Sequence, residues 1–420
     1  SVAPALLNLL RRNNNEDKYL RHVAIHALSR LAPLDALRTA ETDKSAAVRL
    51  GVLLTYRKLQ NTRAAHFLQD SDGFIVREAA LAINDAPIND AMPALAAMLG
   101  SGDLEDEALQ NRIINARHRL GRPEDAVALA AYAARNDVPR EFRREALAQL
   151  ADWSEPFQRD RLVGVYRPLD VRDSGPAVAA LESQLDTLLS GSRFFVKRAV
   201  LGAIRKLKLT AATPRVHALL ASAEEDGEVR AEALAVLNDL DDKNLLEAVK
   251  VAGASDSPEL RLATLPILAR LSPEQALPVL EQMANNGTAI EQQAAYLAIA
   301  ELDHPEAGDL LAKGLQRLAN GKLPYLAQIE LLDSAEASDA PQVQESLTKL
   351  KSHWTEIGDP LASFRGALAG GNIRRGWELF NEHPVLACTR CHRANGEGGL
   401  AGPDLTGLAD RVTTEYMLES

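Results

Sequence analysis

The segments YLRHVAIHAL at 19–28, AVRLGVLL at 47–54, IVREAALAI at 75–83 and FRREALAQL at 142–150 are variations on one pattern. Each has an apolar residue, then a basic one, then alanine or leucine at helical spacing. The pattern returns as FVKRAVLGAI at 195–204, EVRAEALAVL at 228–237, ELRLATLPIL at 259–268 and, more weakly, AIEQQAAYLAI at 289–299. Its basic position falls at Arg21, Arg49, Arg77, Arg143, Lys197, Arg230 and Arg261, and LQNRIINARHRL at 109–120 fills the gap after Arg77 as a degenerate copy. After each copy comes a short turn and a second apolar stretch, as in RLGRPEDAVALAAYA at 119–133 and RLSPEQALPVLEQM at 270–283. Proline just inside the second helix suits a first-turn position, where its missing N–H has no partner anyway. Two helices every thirty residues or so cannot bury their apolar faces alone and must stack on neighbouring copies.

Composition agrees with close helix packing. Hydrophobic residues make up 46% of the 420 but aromatics only 4%, so alanine and leucine carry the core. The net charge of −11, read as spread along the chain, offers no basic stripe for a nucleic acid. No run of eighteen apolar residues is present, so no membrane span is expected. The chain opens on SVAPALLNLL, without an initiator Met, and reads as a mature or excised segment.

The periodicity and the apolar–Arg–x–x–Ala signature resemble the short form of the HEAT family of helical repeats, over about 1–345. The arginines are expected to bind turn carbonyls or acids of adjacent repeats rather than a ligand. One stretch breaks the rhythm. Between Arg143 and Lys197, WSEPFQRDRLVGVYRPLDVRDSGPAV at 153–178 forms the heart of an insertion spanning about 151–190. It reads either as an irregular extra helix plugging the array or as a docking surface for a partner, and the plug is preferred.

Around residue 356 the chain becomes glycine-rich. A helix is expected over about 373–381, then a turn, a glycine loop, and a new helix near Thr413. The only two cysteines lie in that turn as Cys388-Thr389-Arg390-Cys391-His392, the C-x-x-C-H attachment signature of c-type haem. Cysteines three apart in a helical turn point to one side, so each thiol can add to one of haem's two vinyl groups. His392 then projects over the ring and can give its Nε2 to iron. A thioredoxin-like reading needs a βαβ setting, and no strand pattern is seen here. A zinc site would take Cys388, Cys391, His392 and His383, but closed zinc sites draw ligands from two separated segments.

GGLAGPDLTGLADR, following the motif, resembles class I cytochromes c. The resemblance implies that the Pro403 carbonyl accepts from the second ring nitrogen of His392. It also implies one covalent haem c per chain, with His392 as the protein's iron ligand. More narrowly, 373–420 resembles the haem-binding domain of a planctomycete and verrucomicrobial family. Members of that family commonly join a β-propeller, similar to quinoprotein sugar dehydrogenases, to HEAT repeats and this cytochrome. Nothing here matches the propeller.

The expectation is therefore an all-α chain. A HEAT-like α-solenoid occupies 1–355, followed at 356–420 by a small class I cytochrome c-like domain whose last part lies beyond residue 420. It would take electrons from a dehydrogenase domain or subunit and pass them to a soluble or membrane-bound acceptor, in the periplasm where c-type haem is attached. Protein docking on the solenoid or the 151–190 insertion is a further expected contact. The alternative is a non-catalytic interaction scaffold whose C-terminal turn binds zinc or nothing. No catalytic residues are read in this chain. Met417 is read as a packing residue rather than the distal ligand, and the remaining histidines as ordinary surface or turn residues.

Overall fold

A computed structural model of the chain describes residues 2–101, 105–191, 193–356, 361, 364–368, 370–383 and 385–419. It is all-α apart from a two-residue hairpin near the C-terminus and an isolated bridge. Contacts divide it into two compact units, Ser1–Arg215 and Val216–Ser420. The sequence boundary near 355 falls inside the second.

In the first unit every apolar–Arg copy is a helix. Lys18–Leu31, Ala46–Leu59, Gly73–Asp85, Glu107–Leu120, Arg140–Ala151 and Phe194–Lys206 pack successively against one another. Asp17, Asp72 and Asp106 start three of these helices by accepting from backbone N–H groups of the first turn. The core of the earlier repeats is aliphatic with few rings, Tyr56 and Phe67 among them, both fully buried.

The repeated basic residues meet turns and acids. Arg49 pairs with Asp70 at 2.8 Å and donates to the Asp43 carbonyl at 2.9 Å. Arg112, in the degenerate copy, pairs with Asp85 at 2.8 Å. Arg143 donates to the Ala133 carbonyl at 2.7 Å. In the second unit Arg230 reaches the Leu220 carbonyl and Arg261 the Ser255 carbonyl, each at 2.8 Å. A guanidinium is well suited to such turns because its fork of donors satisfies several orphan acceptors together.

The insertion combines a non-helical stretch with one regular helix. Residues 152–174 carry no helix at all, whereas Gly175–Gly191 is a regular helix packed on Pro123–Ala134. The non-helical strap is fixed by buried polar groups. Asp160, whose carboxylate is wholly buried, accepts from Asn115 at 3.2 Å, Arg167 at 3.2 Å and Arg119 at 3.4 Å. It also accepts from the backbone of Leu162 at 2.9 Å and Val163 at 3.2 Å. Trp153 is buried beneath Arg172, whose guanidinium lies 4.1 Å from the ring centre. Arg172 also donates to the carbonyls of Trp153 at 2.6 Å and His118 at 2.7 Å.

His118 corrects the sequence reading of the histidines as surface or turn residues. It is buried edge-on against Trp153. Burial, with the charges of Arg172 and Arg161, pushes its pKa down to about 3, so the ring is neutral at physiological pH.

The second unit repeats the architecture. Gly227–Asp239, Pro258–Leu271, Ala289–Ala300 and Gln328–Glu336 pack in series, and Pro273–Asn286, Ala307–Ala319 and Pro341–Glu356 back them. Within this unit Gln328–Glu336 also receives the start of the C-terminal segment. Gly366 and Gly371 lie against Leu332 and Ile329, and Arg375 pairs with Asp333 at 3.4 Å. On the same helix Glu330 is buried; its Oε1 accepts from Gln293 at 3.0 Å while Oε2 has no partner among the described residues.

Charge is not spread evenly, contrary to the sequence reading. The first unit holds 31 Lys and Arg against 26 Asp and Glu, and the second 16 against 32. The total of −11 is thus +5 in one unit and −16 in the other.

Candidate haem-attachment turn

Helix Ile373–Glu382 leads into the site. Asn372 caps its first turn, accepting from the Arg375 N–H at 2.9 Å. His383 ends the helix by accepting from the N–H groups of Leu386 at 3.1 Å and Val385 at 3.3 Å through Nδ1. That use turns His383 towards its own backbone, not into a ligand set.

Ala387 follows with φ 46°, a left-handed conformation that costs an L-residue about 1 kcal/mol. It reverses the chain so that Cys388–Arg390 forms a 3₁₀ turn, a helical turn as expected from sequence. The His392 N–H closes the turn on the Cys388 carbonyl at 2.9 Å. Cys388 is half-buried, Cys391 exposed, and neither is in a disulfide.

The glycine loop wraps this turn from outside. The N–H groups of Gly399, Gly402 and Leu405 donate to the carbonyls of Thr389 at 2.7 Å, Cys391 at 2.6 Å and Arg393 at 2.8 Å. Arg393–Ala394 and Glu397–Gly398 pair as a hairpin, which sequence reasoning missed. Asn395-Gly396 at its tip was the available signal: φ is 52° and 85°, the pair of positive values a two-residue hairpin turn requires. Also missed were Thr406, whose Oγ1 accepts from the Asn395 N–H at 2.8 Å, and Arg411, which donates to the Asp404 carbonyl at 2.8 Å. Two bonds from Thr406 hold the Asp404 carboxyl below its ordinary range.

His392 Nδ1 lies 3.0 Å from the Pro403 carbonyl oxygen. A carbonyl can only accept, so Nδ1 carries a proton and, in the neutral ring, Nε2 keeps its lone pair. Gly402 presses on the same ring. A Cβ there would stand 2.8 Å from both Cε1 and Nδ1, closer than real Cβ atoms come. Cys388, Cys391, His392 and Pro403 are therefore gathered into one unit of backbone, while Met417 is 37% exposed on the short helix Thr414–Glu419. This corrects the reading of Met417 as core.

The donor set suits a c-type haem. Two thiols three apart and an imidazole with a free Nε2 are what thioether attachment and axial ligation need. None of the described side chains over 364–419 is fully buried, with Phe380, Leu405, Leu408, Val412 and Leu418 half-buried. A flat apolar macrocycle would extend the apolar surface that these half-buried side chains present. Among the described residues no three His, Cys, Asp or Glu side chains come together as a metal cluster.

Turn, histidine and loop together define a module of the c-type cytochrome class. Comparison with known families agrees: residues 373–420 match the family Cytochrome c, so this segment is a cytochrome c domain, with covalently bound haem c and haem-based electron transfer as its chemistry. No curated protein matches the chain. Among solved structures, the X-ray structure of YIBA_ECOLI is similar at 13% identity and a TM-score of 0.28, over 79% of this chain and 96% of that one. So low a TM-score carries no argument. No described helix is long and apolar enough to cross a membrane.

Proposed function

We propose that the chain is an electron-transfer cytochrome carried on a HEAT-like scaffold. Cys388 and Cys391 hold one haem c through thioethers, and His392 gives Nε2 to the iron. The Pro403 carbonyl orients His392 and, through Nδ1–H, tunes it. The bound haem supplies reversible one-electron chemistry; the chain's own residues hold it, orient the imidazole and cover the turn. The observation that carries this reading is the 3.0 Å bond from His392 Nδ1 to Pro403, inside a segment that matches Cytochrome c.

Electrons would come from a dehydrogenase domain or subunit, as the resemblance to planctomycete and verrucomicrobial proteins implies, and leave to a soluble or membrane-bound carrier. The compartment is the periplasm, since that is where bacteria attach haem to C-x-x-C-H. The strap at 152–174 and the solenoid faces are candidate docking surfaces within the same scheme.

The test is expression in a host competent for cytochrome c maturation. The polypeptide should gain the mass of one haem, keep its porphyrin absorbance through acid–acetone extraction, and lose both in a Cys388→Ala/Cys391→Ala variant. Haem-free protein containing zinc would refute the reading in favour of a scaffold.

A further inference from the structure

The acidic excess of the second unit lies in its repeats. Residues 216–355 contain 10 Lys and Arg against 23 Asp and Glu, whereas 356–420 contain 6 against 9. The cytochrome segment is thus nearly neutral but is seated on a strongly anionic array, through Leu332, Ile329 and the Asp333–Arg375 pair. The haem-attachment turn carries the exposed Arg390, and exposed apolar side chains stand beside it in sequence. Val385 and Leu386, just before Cys388, are 82% and 58% exposed, and Leu400 is 79% exposed. The Gly399 N–H bond to the Thr389 carbonyl ties the loop next to Leu400 to the attachment turn. Neither 385–389 nor 398–403 contains a charged residue.

A field of one sign raises the encounter rate of oppositely charged partners, and an uncharged apolar patch suits brief contact that releases readily. We infer that the repeats of the second unit steer a cationic electron-carrier protein to the apolar rim formed by Val385, Leu386 and Leu400. This rests on the electron-transfer reading above and names the charge of its partner. It also gives the array a task beyond support, because the cytochrome segment's own charge is too small to select a partner.

Stopped-flow electron exchange on the full-length, haem-loaded chain tests it, with a lysine-rich basic cytochrome c as one probe and an acidic plastocyanin-type copper protein as the other. The basic carrier should react roughly tenfold or more faster at low salt than at physiological salt, and the acidic carrier should speed up as salt is added. Glu301, Asp303 and Asp339 are exposed on the repeats. The triple variant Glu301→Lys/Asp303→Lys/Asp339→Lys should flatten the salt dependence with the basic carrier while leaving the haem spectrum and potential unchanged. Leu400→Lys should slow that carrier several-fold. Haem-bearing protein that reacts faster with the acidic carrier, or without salt dependence, overturns the inference alone. Protein that carries no haem overturns it together with the electron-transfer reading.

Discussion

Replacing Gly402 with alanine should detune His392 without replacing any ligand. The added Cβ would stand 2.8 Å from Cε1 and Nδ1 of the ring, and ordinary van der Waals contact begins at 3.4 Å. The ring and Cβ must therefore separate by about 0.6 Å or more, and if the ring does the moving the 3.0 Å bond to Pro403 stretches to about 3.6 Å, outside hydrogen-bonding range. Losing one such bond is worth about 0.5–1.5 kcal/mol. That bond pulls on the Nδ1 proton and makes the imidazole a stronger donor, which favours ferric over ferrous iron. Its loss should raise the midpoint potential by about 20–60 mV, since a tenfold change in a one-electron equilibrium is about 59 mV. Potentiometric titration of purified haem-loaded protein measures this, with haem content and circular dichroism as checks on folding. Pro403→Ala is the control: it keeps the accepting carbonyl and should move the potential far less. A Gly402→Ala protein that is folded, fully loaded and unshifted would show that the bond does not tune the iron.

Asp160→Asn should destabilise the first unit by about 3–5 kcal/mol, because Arg119 and Arg167 are left buried beside a neutral group. For a unit of this size that is a fall in Tm of roughly 6–20 °C by calorimetry on the full chain, and a change within about 2 °C would refute the network's role. Glu330→Gln addresses pH. Burial raises the Glu330 pKa above its ordinary 4.5, against the weaker opposing pull of Gln293 and Arg375 and with Asp333 adding to the rise. The favourable protonated form is fully populated below 4.5 and is lost as pH rises through the folded value, so wild-type stability declines across that window. The variant should match wild type at acid pH and exceed it near neutrality in thermal melts; a constant offset at all pH values would refute the titration. Met417→Leu should leave the visible spectrum and carbon monoxide binding unchanged, and loss of a near-infrared thioether-to-iron band would instead assign Met417 to the iron.

The repeats were legible because their physics is local. An apolar stripe with a basic residue at its head specifies a helix and a turn contact within a few residues, and Arg49, Arg143, Arg230 and Arg261 all meet partners of the expected kind. The attachment turn was legible for the same reason, since C-x-x-C-H spacing and the eleven residues to Pro403 need no distant element. What escaped was long-range. Asp160 draws Asn115 and Arg119 from a helix more than forty residues away, so no window of sequence displays the network that makes 152–174 an ordered strap. His118 escaped likewise, because its burial is created by Trp153 and Arg172. The Asn395-Gly396 hairpin was the exception: its signal was local and present, but lay inside a stretch read as a featureless glycine loop.

Charge was misjudged for a different reason, and the reason bears on function. A sum over the chain is blind to where folding draws boundaries, and here one boundary separates +5 from −16. Screening confines each field to about 8–10 Å at physiological salt, so a partner approaching the cytochrome responds to the charges nearest its path and not to the total. The cytochrome segment is joined to the acidic repeats at helix Gln328–Glu336, by Leu332, Ile329 and the Asp333–Arg375 pair. The exposed Asp333–Arg375 pair itself contributes little to stability. Its greater effect is geometric: with the two glycines packed on the same helix face, it seats the start of the cytochrome segment on the acidic repeats. If that seat were loosened, the salt dependence of electron exchange should weaken even though all but one of the unit's charges remained. Asp333→Asn together with Leu332→Ala supplies that case, since it removes one acid among 32 in the unit. A flattened salt slope from so small a change in net charge would mean that orientation, rather than charge alone, sets the partner's approach.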